Sequence, residues 1–366
     1  MKNLNEINII RALMCISIVL THSISNYFRN VEADSVAYEQ YQIYIRFALL
    51  CSTPIFILLS ETLISKNYPG KLKKGFWGKR FAFILLPYIL IGLVVSYKSS
   101  HNDWSAFLEV AYNKIVLGEW YGFFVLVIFQ FYFLHWLIGG FLARIKPAIP
   151  IVLSFILSFA HIYGYVHNET YQSFIIEQYP FWYKTHILFW LFYFITAFYI
   201  GQYYEQLVSF LTARIWLPTL TTVLSFALVM YNYKVLEYTR LSSERYDMLL
   251  YAVSIFFLLV ALIRKFNLNS QALVMISNFS FFIYLTHMIF LPYFVKFAIG
   301  FGENFFVYIA IIAFLTVSAC IGVAFLFYQN RITRLFTGKI KYLEPVRQPQ
   351  APNTQLLREE SNLKYE

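Results

Sequence analysis

Apolar runs of about 20 residues recur along this chain, separated by short segments where lysine, arginine and turn-forming residues collect. A helix of that length is ~30 Å long, the thickness of the hydrocarbon core of a bilayer. The pattern predicts ten transmembrane helices, at roughly 7–28, 42–64, 81–97, 121–143, 149–166, 187–204, 215–233, 248–263, 272–295 and 305–327. The expected fold is all-α: a polytopic integral membrane protein with one transmembrane domain over 1–327. A cytoplasmic tail over 328–366 follows, basic and interfacial in "YQNRITRLFTGKIK", then of disordered composition in "PVRQPQAPNTQLLREESN".

Composition strengthens this picture. Hydrophobic residues make up 59% and charged residues 13% of the chain, the latter about half the roughly 25% of soluble proteins. Met1 to Glu6 is only weakly basic and no small-residue cleavage site follows Ile24, so the first run is expected to stay as a helix. Of the 29 lysines and arginines, 20 fall on one side of the predicted membrane and 8 on the other. That bias puts both termini in the cytoplasm. The net charge of +10 therefore reflects topology rather than nucleic-acid binding, and the basic inner face suits anionic lipid or a polyanionic cytoplasmic substrate. Cys15, Cys51 and Cys320 all lie inside spans, which leaves no extracellular disulfide framework. The aromatic content is partly interfacial anchoring, as in "YPFWY" at 179–183. Loops on the outer side are short, so any chemistry must be done by the helix bundle.

Ionisable residues inside a membrane are costly and mark function unless a partner explains them. In "NIIRALMCISIVLTHSI", Arg11 and His22 are 11 positions apart. At 100° and ~1.5 Å per residue they share one helix face, ~16 Å apart in depth. With alternating span directions, two polar levels emerge. Arg46, Glu119 and His287 join His22 at the outer level, with Trp120 beside Glu119. Ser60 and Glu61 join Arg11 at the inner level. Arg11 could pair with Glu61 or snorkel to the interface; His22 and His287 could be interhelical hydrogen-bond partners only. His135 and His161 are assigned no function.

The chemistry that fits two such levels is acyl transfer. A neutral imidazole can take the proton of a sugar hydroxyl as it attacks a thioester, a contribution of roughly 10²–10⁴-fold, and a nearby arginine or amide can stabilise the oxyanion. At the cytoplasmic mouth Lys73, Lys74, Lys79 and Arg80 could hold the phosphates of an acyl-CoA, arginine being suited by its bidentate fork. No metal site and no tightly bound cofactor are read; acyl-CoA would be a co-substrate.

The chain resembles acyltransferase family 3 over essentially its whole length. "RALMCISIVLTH" is similar to that family's Arg-x10-His motif, with Arg11 and His22 in its two positions. "TPIFILLSETLI", "KRFAFILLPY" with Arg80 and Pro87, and "FSFFIYLTHMIF" with Tyr284 and His287 resemble three further family segments in the family's order. "GEWYGFFVLVIFQFYFL" and "YIRFALLCSTPIFILLSETL" look most like the intercellular adhesion protein C branch of Gram-positive bacteria. The resemblance implies a bacterial cytoplasmic-membrane enzyme that transfers acetyl or succinyl groups to hydroxyls of a surface polysaccharide, poly-N-acetylglucosamine in that branch. It implies His22 as catalytic base and Arg11 as a residue that binds or orients the donor. A polysaccharide synthase is carried as a candidate partner. One departure stands out: where the family has glycine after the serine of the second helix, this chain has Glu61. A carboxylate there could neutralise Arg11. The rival reading is a polysaccharide exporter without acyltransfer activity.

Overall fold

Asn5–Asn30 forms a single unbroken helix, α1. The segment contains no glycine or proline, and Glu6 in its first turn and Arg29 in its last complement the helix dipole. In this computed structural model the described residues are 5–30, 40–100, 103–302, 304–340 and 343. Most of the tail expected to be disordered, 344–366, lies outside them. After α1 come α2 (Gln40–Leu49), α3 (Ser52–Asn67), α4 (Phe76–Arg80), α5 (Leu86–Ser99), α6 (Trp104–Ala111), α7 (Phe124–Leu142), α8 (Ala148–His167) and α9 (Glu169–Gln178). Then follow α10 (Leu191–Gln202), α11 (Tyr204–Ala213), α12 (Trp216–Lys234), α13 (Met248–Lys265), α14 (Gln271–Ala298), α15 (Phe305–Gln329) and the short α16 (Arg334–Thr337). A π-helical turn, Phe81–Leu85, joins α4 to α5.

Among the described residues, eight helical stretches are long and apolar enough to cross a membrane, or nine if the pair α11 and α12, bent by 89°, counts as one span. This is a polytopic helical membrane protein, as the pattern predicts. The expected count of ten differs at the sixth run. There the helix proper is α10, 12 residues long, about 18 Å at the α-helical rise and short of a bilayer. The residues before it, Tyr183–Thr185 and Ile187–Phe189, are 3₁₀ turns. Its apolar run has another cause: α10 is buried along nearly its whole length, chiefly against α3 and α8. Gly201 permits that packing, since a Cβ there would lie 2.6 Å from the Thr62 carbonyl oxygen and 2.8 Å from the Lys66 nitrogen.

Elsewhere α1 packs on α14 and α15, and α12 on α13. Polar contacts near the ends of the spans fall into two groups. At one end Lys66 pairs with Glu205 at 2.8 Å, Arg264 pairs with both Glu6 and Glu205, and Tyr199 Oη donates to the Leu142 carbonyl at 2.9 Å. At the other, Tyr27 Oη donates to the Gly302 carbonyl and Trp182 N–H to the Leu117 carbonyl at 2.8 Å. Each set joins loops that the predicted topology puts on one side.

Candidate functional site

The α1 helix carries Arg11 and His22 at two depths, and each meets a different group of partners. At the His22 end, α14 brings His287 alongside, with ring centroids 5.1 Å apart. His287 Nδ1–H donates to the Tyr284 carbonyl at 2.7 Å. That bond fixes the tautomer, so Nε2 carries the lone pair, and Nε2 is buried with no hydrogen-bond partner. Tyr121 packs on His287 at 5.3 Å and donates its hydroxyl to the Leu285 carbonyl at 2.8 Å, while Tyr284 Oη donates to the Tyr121 carbonyl. Two polar crossings thus lock the 120–124 turn onto α14. Arg46 and Lys184 are the cations within electrostatic reach of His22, and Arg46 Nε is buried without a hydrogen-bond partner.

The Arg11 end is built around Tyr132 of α7, which is buried. The Arg80 guanidinium lies 5.2 Å from its ring, Ser60 Oγ is 3.4 Å from its hydroxyl, and Arg11 is a charged neighbour. The expected alternative of an Arg11–Glu61 pair is not what forms. Glu61 Oε1 instead lies 2.6 Å from His135 Nδ1, both side chains 0% exposed. His135 Nε2–H donates to the Tyr68 carbonyl at 2.9 Å, so Nδ1 and the carboxyl share the remaining proton. The reason is direction: α7 crosses α3 on the face that carries Glu61, whereas Arg11 faces Tyr132. No carboxylate among the described residues pairs with Arg11.

Two loops close the His22 end. The segment 179–190 is tied down by the Trp182–Leu117 bond and by Trp190 Nε1–H to the Lys184 carbonyl at 2.7 Å. Gly118, at φ +85°, lets the chain pass close to Thr185, whose Cγ2 would lie 3.0 Å from a Cβ there. The segment 235–247 is held by Arg245, fully buried, which donates from Nε to Asp247 Oδ1 at 2.8 Å and from Nη1 to the Tyr238 and Arg240 carbonyls at 2.7 and 2.8 Å. Asp247 also accepts from Asn232 at 2.9 Å. Between the loops, Lys184 Nζ meets Glu244 Oε2 at 3.4 Å.

Of the residues singled out from the sequence, the structure brings His22, His287, Tyr284 and Arg46 into one region. Trp120 borders it, packing on Tyr121 at 4.9 Å and donating its indole N–H to the Tyr88 hydroxyl at 3.2 Å. Glu119 is not gathered with them: it is exposed at the turn before Trp120, with Lys114 as charged neighbour. At the other level Arg11, Arg80 and Ser60 converge on Tyr132. Lys73, Lys74 and Lys79 stay exposed around that end, Lys73 with its ammonium 5.9 Å from the Tyr68 ring. Sequence reasoning missed Lys184, Glu244, Arg245 and Asp247. The available signal was a lone lysine in an aromatic loop and the cluster "SERYD" before α13. An apolar groove of about 470 Å³, lined by Leu126, Gln130, Phe133 and Thr185 among others, involves none of the expected residues.

A helical bundle with an unpaired arginine layer at one depth and a histidine pair at another defines a membrane protein whose polar chemistry lies inside the bundle. The chain belongs to the acyltransferase-3 family, whose model, described as an acyltransferase domain, matches residues 4–328. It is 33% identical over 343 residues to the "Probable poly-beta-1,6-N-acetyl-D-glucosamine export protein" of Staphylococcus epidermidis, covering 93% of this chain and 96% of the relative. The protein of that description from Staphylococcus aureus strain MSSA476 is 31% identical over 348 residues, covering 92% and 96%. No solved structure matches.

Proposed function

We propose that this acyltransferase moves a short acyl group, acetyl or succinyl, from cytoplasmic acyl-CoA to a hydroxyl of a cell-surface polysaccharide, with the His22 end of the bundle on the outer face. The observation that carries the proposal is the His22–His287 pair, 5.1 Å between rings, set ~16 Å along α1 from Arg11, a charged neighbour of the same Tyr132 whose ring Arg80 covers. His22 is the general base. The glycan hydroxyl oxygen attacks the thioester carbonyl carbon while His22 takes its proton. The tetrahedral oxyanion collapses, the C–S bond breaks, and the imidazolium returns the proton to the departing coenzyme A thiolate. Arg46 is the donor for the oxyanion, supported by its unpartnered Nε. His287 stands behind His22, and Tyr284 and Trp120 shape the acceptor side.

Arg11 and Arg80 hold the donor. Support comes from the Glu61–His135 pair, which takes up the one carboxylate that could have neutralised Arg11. Lys79, with Lys73 and Lys74, supplies weaker, solvated attraction at the mouth. Poly-N-acetylglucosamine is the glycan class, by analogy with the names of the staphylococcal relatives, and a polysaccharide synthase is a partner consistent with that setting.

Those same names favour a second reading, export of the polymer. The two separate with purified protein in lipid vesicles. Supplied with radiolabelled acetyl-CoA or succinyl-CoA and an N-acetylglucosamine oligosaccharide, the wild type is expected to form alkali-labile ester. His22→Ala is expected to lose roughly 10²-fold or more of the rate. Transfer by the wild type with neither donor, or equal transfer by His22→Ala, contradicts the assignment.

A further inference from the structure

The outward face of α7 meets the bilayer: Phe133, Trp136, Leu137 and Phe141 are each more than half exposed on a chain of membrane-spanning helices. Toward the Phe124 end that face is hollow. The groove of about 470 Å³ opens there, walled by Leu126, Phe129, Phe133 and Leu134 of α7 and by Phe181 and Ile187 of loop 179–190. Val116, in a π-helical turn over Tyr112–Val116, also lines it. Phe133, Phe181 and Val116 are 51%, 43% and 44% exposed, so the groove is open to whatever surrounds the helix. Its α7 wall recurs every three or four residues and runs ~12 Å along the helix. One leaflet offers ~15 Å of hydrocarbon, half of a ~30 Å core. The polar side chains of the lining bond to the loop. Gln130 Nε2–H donates to the Thr185 carbonyl at 2.9 Å, and Thr185 Oγ1 donates to the Trp182 carbonyl at 2.8 Å. No charged side chain lines the groove, and Lys184, next to Thr185, is paired with Glu244 at 3.4 Å. Water held there would lack the two to four polar partners that an ordered water typically needs.

We propose that this groove binds one acyl chain of a phospholipid, which enters from the bilayer and lies lengthwise between α7 and loop 179–190. Such a site goes beyond acyl transfer and stands whether or not His22 is the base. The groove is continuous with a lipid-facing surface, has nearly the length of one leaflet's chains and presents apolar walls, all of which suit a hydrocarbon chain. Left empty, its lining would forfeit dispersion contacts. Filled with water, the Gln130–Thr185 bond would lose the advantage of a low local dielectric. Recognition is of the chain, since no charge at the walls selects a headgroup. A seated chain also props the loop. Trp182 packs on Phe123 at 5.3 Å, in the turn that Tyr121 and Tyr284 lock onto α14 beside His287. The chain thereby braces the loop side of the His22 end.

The test uses the purified full chain in phosphatidylcholine–phosphatidylglycerol vesicles that carry a trace of phosphatidylcholine with a diazirine in its acyl chain. After irradiation, mass spectrometry maps the adducts. The wild type is expected to carry at least threefold more adduct at Phe129, Phe133 and Phe181 than at Trp136, Leu137 and Phe141 on the open face. Leu134→Trp and Val116→Trp each fill part of the groove. They are expected to bring that excess down to the level of the open face while melting near the wild-type temperature. Where one variant melts early the other decides, and the wild-type contrast stands on its own. Even labelling along α7 in the wild type means surrounding lipid only and overturns the proposal, as does an excess that survives both tryptophan variants. Groove residues labelled less than the open face would mean that protein covers them, a second copy of the chain for instance, and would overturn it equally.

Discussion

His135 shows how a buried residue finds its purpose only through its neighbour. With both side chains inaccessible and Nε2 spent on the Tyr68 carbonyl, the imidazole and Glu61 hold one proton between them. Removing one member strands the other in a dry interior, a change that costs about 3–5 kcal/mol for buried pairs. His135→Ala is therefore expected to lower the thermal midpoint of the purified protein markedly. The double variant Glu61→Leu/His135→Leu should recover much of the loss, because no buried charge remains. Equal melting of wild type and His135→Ala would refute the shared-proton pair. The alignment of Arg11 with His22 was legible in the sequence, since both lie on one helix with a fixed rise per residue. The partner of Glu61 was not: which cation meets a buried carboxylate depends on how α3 and α7 cross, and Arg11 was the only charge the span pattern placed at that level. Lys184 and Glu244 were hidden for a related reason. They sit on loops 60 residues apart in sequence, whose meeting no periodicity encodes.

Among the elements, α3 and α10 bring their backbones into close approach. At Gly201 even a methyl group would press on the Thr62 carbonyl and the Lys66 amide, neither of which can rotate away. Gly201→Ala is expected to destabilise by on the order of 1–3 kcal/mol through forced separation of the two helices. Unfolding in detergent checks this; a variant as stable as wild type would mean that the helices are less closely packed. Nearly every predicted span corresponds to a helix, because runs of 18 or more apolar residues have few other ways to satisfy their backbone. The sixth run was misjudged in length. Its apolar character comes from burial inside the bundle, and composition cannot distinguish a protein-facing helix from a lipid-facing one. The break between α2 and α3 at Leu50–Cys51 has a cause in the sequence that a hydropathy pattern passes over: Pro54, in the first turn of α3, has no N–H for the Leu50 carbonyl, and its ring crowds that turn.

The whole molecule has two chemically different ends. Lysine and arginine crowd the end that holds Lys66, Arg144 and Arg264, and the histidine pair lies toward the other. The charge bias predicts that the basic end faces the cytoplasm, and the account needs that orientation, because the donor must arrive there. Cysteine substitution tests it against a quiet background, since the three native cysteines are buried. In intact cells a membrane-impermeant maleimide is expected to label Glu169→Cys, while Lys73→Cys should react only after the membrane is opened. The reverse pattern would turn the site to face the wrong compartment. The charge counts predict this topology because the bias is a sum over many loops.

The central claim is that His22 is the general base for acyl transfer to exported glycan. Its most direct test compares wild type, His22→Ala and a deletion strain in the native cell, measuring alkali-released acyl esters on surface glycan together with total glycan outside the membrane. With His22→Ala protein present at wild-type abundance, the account predicts loss of the esters while exported glycan persists. Esters that remain, or export that collapses in step with the deletion, would contradict it and leave polymer translocation as the better reading.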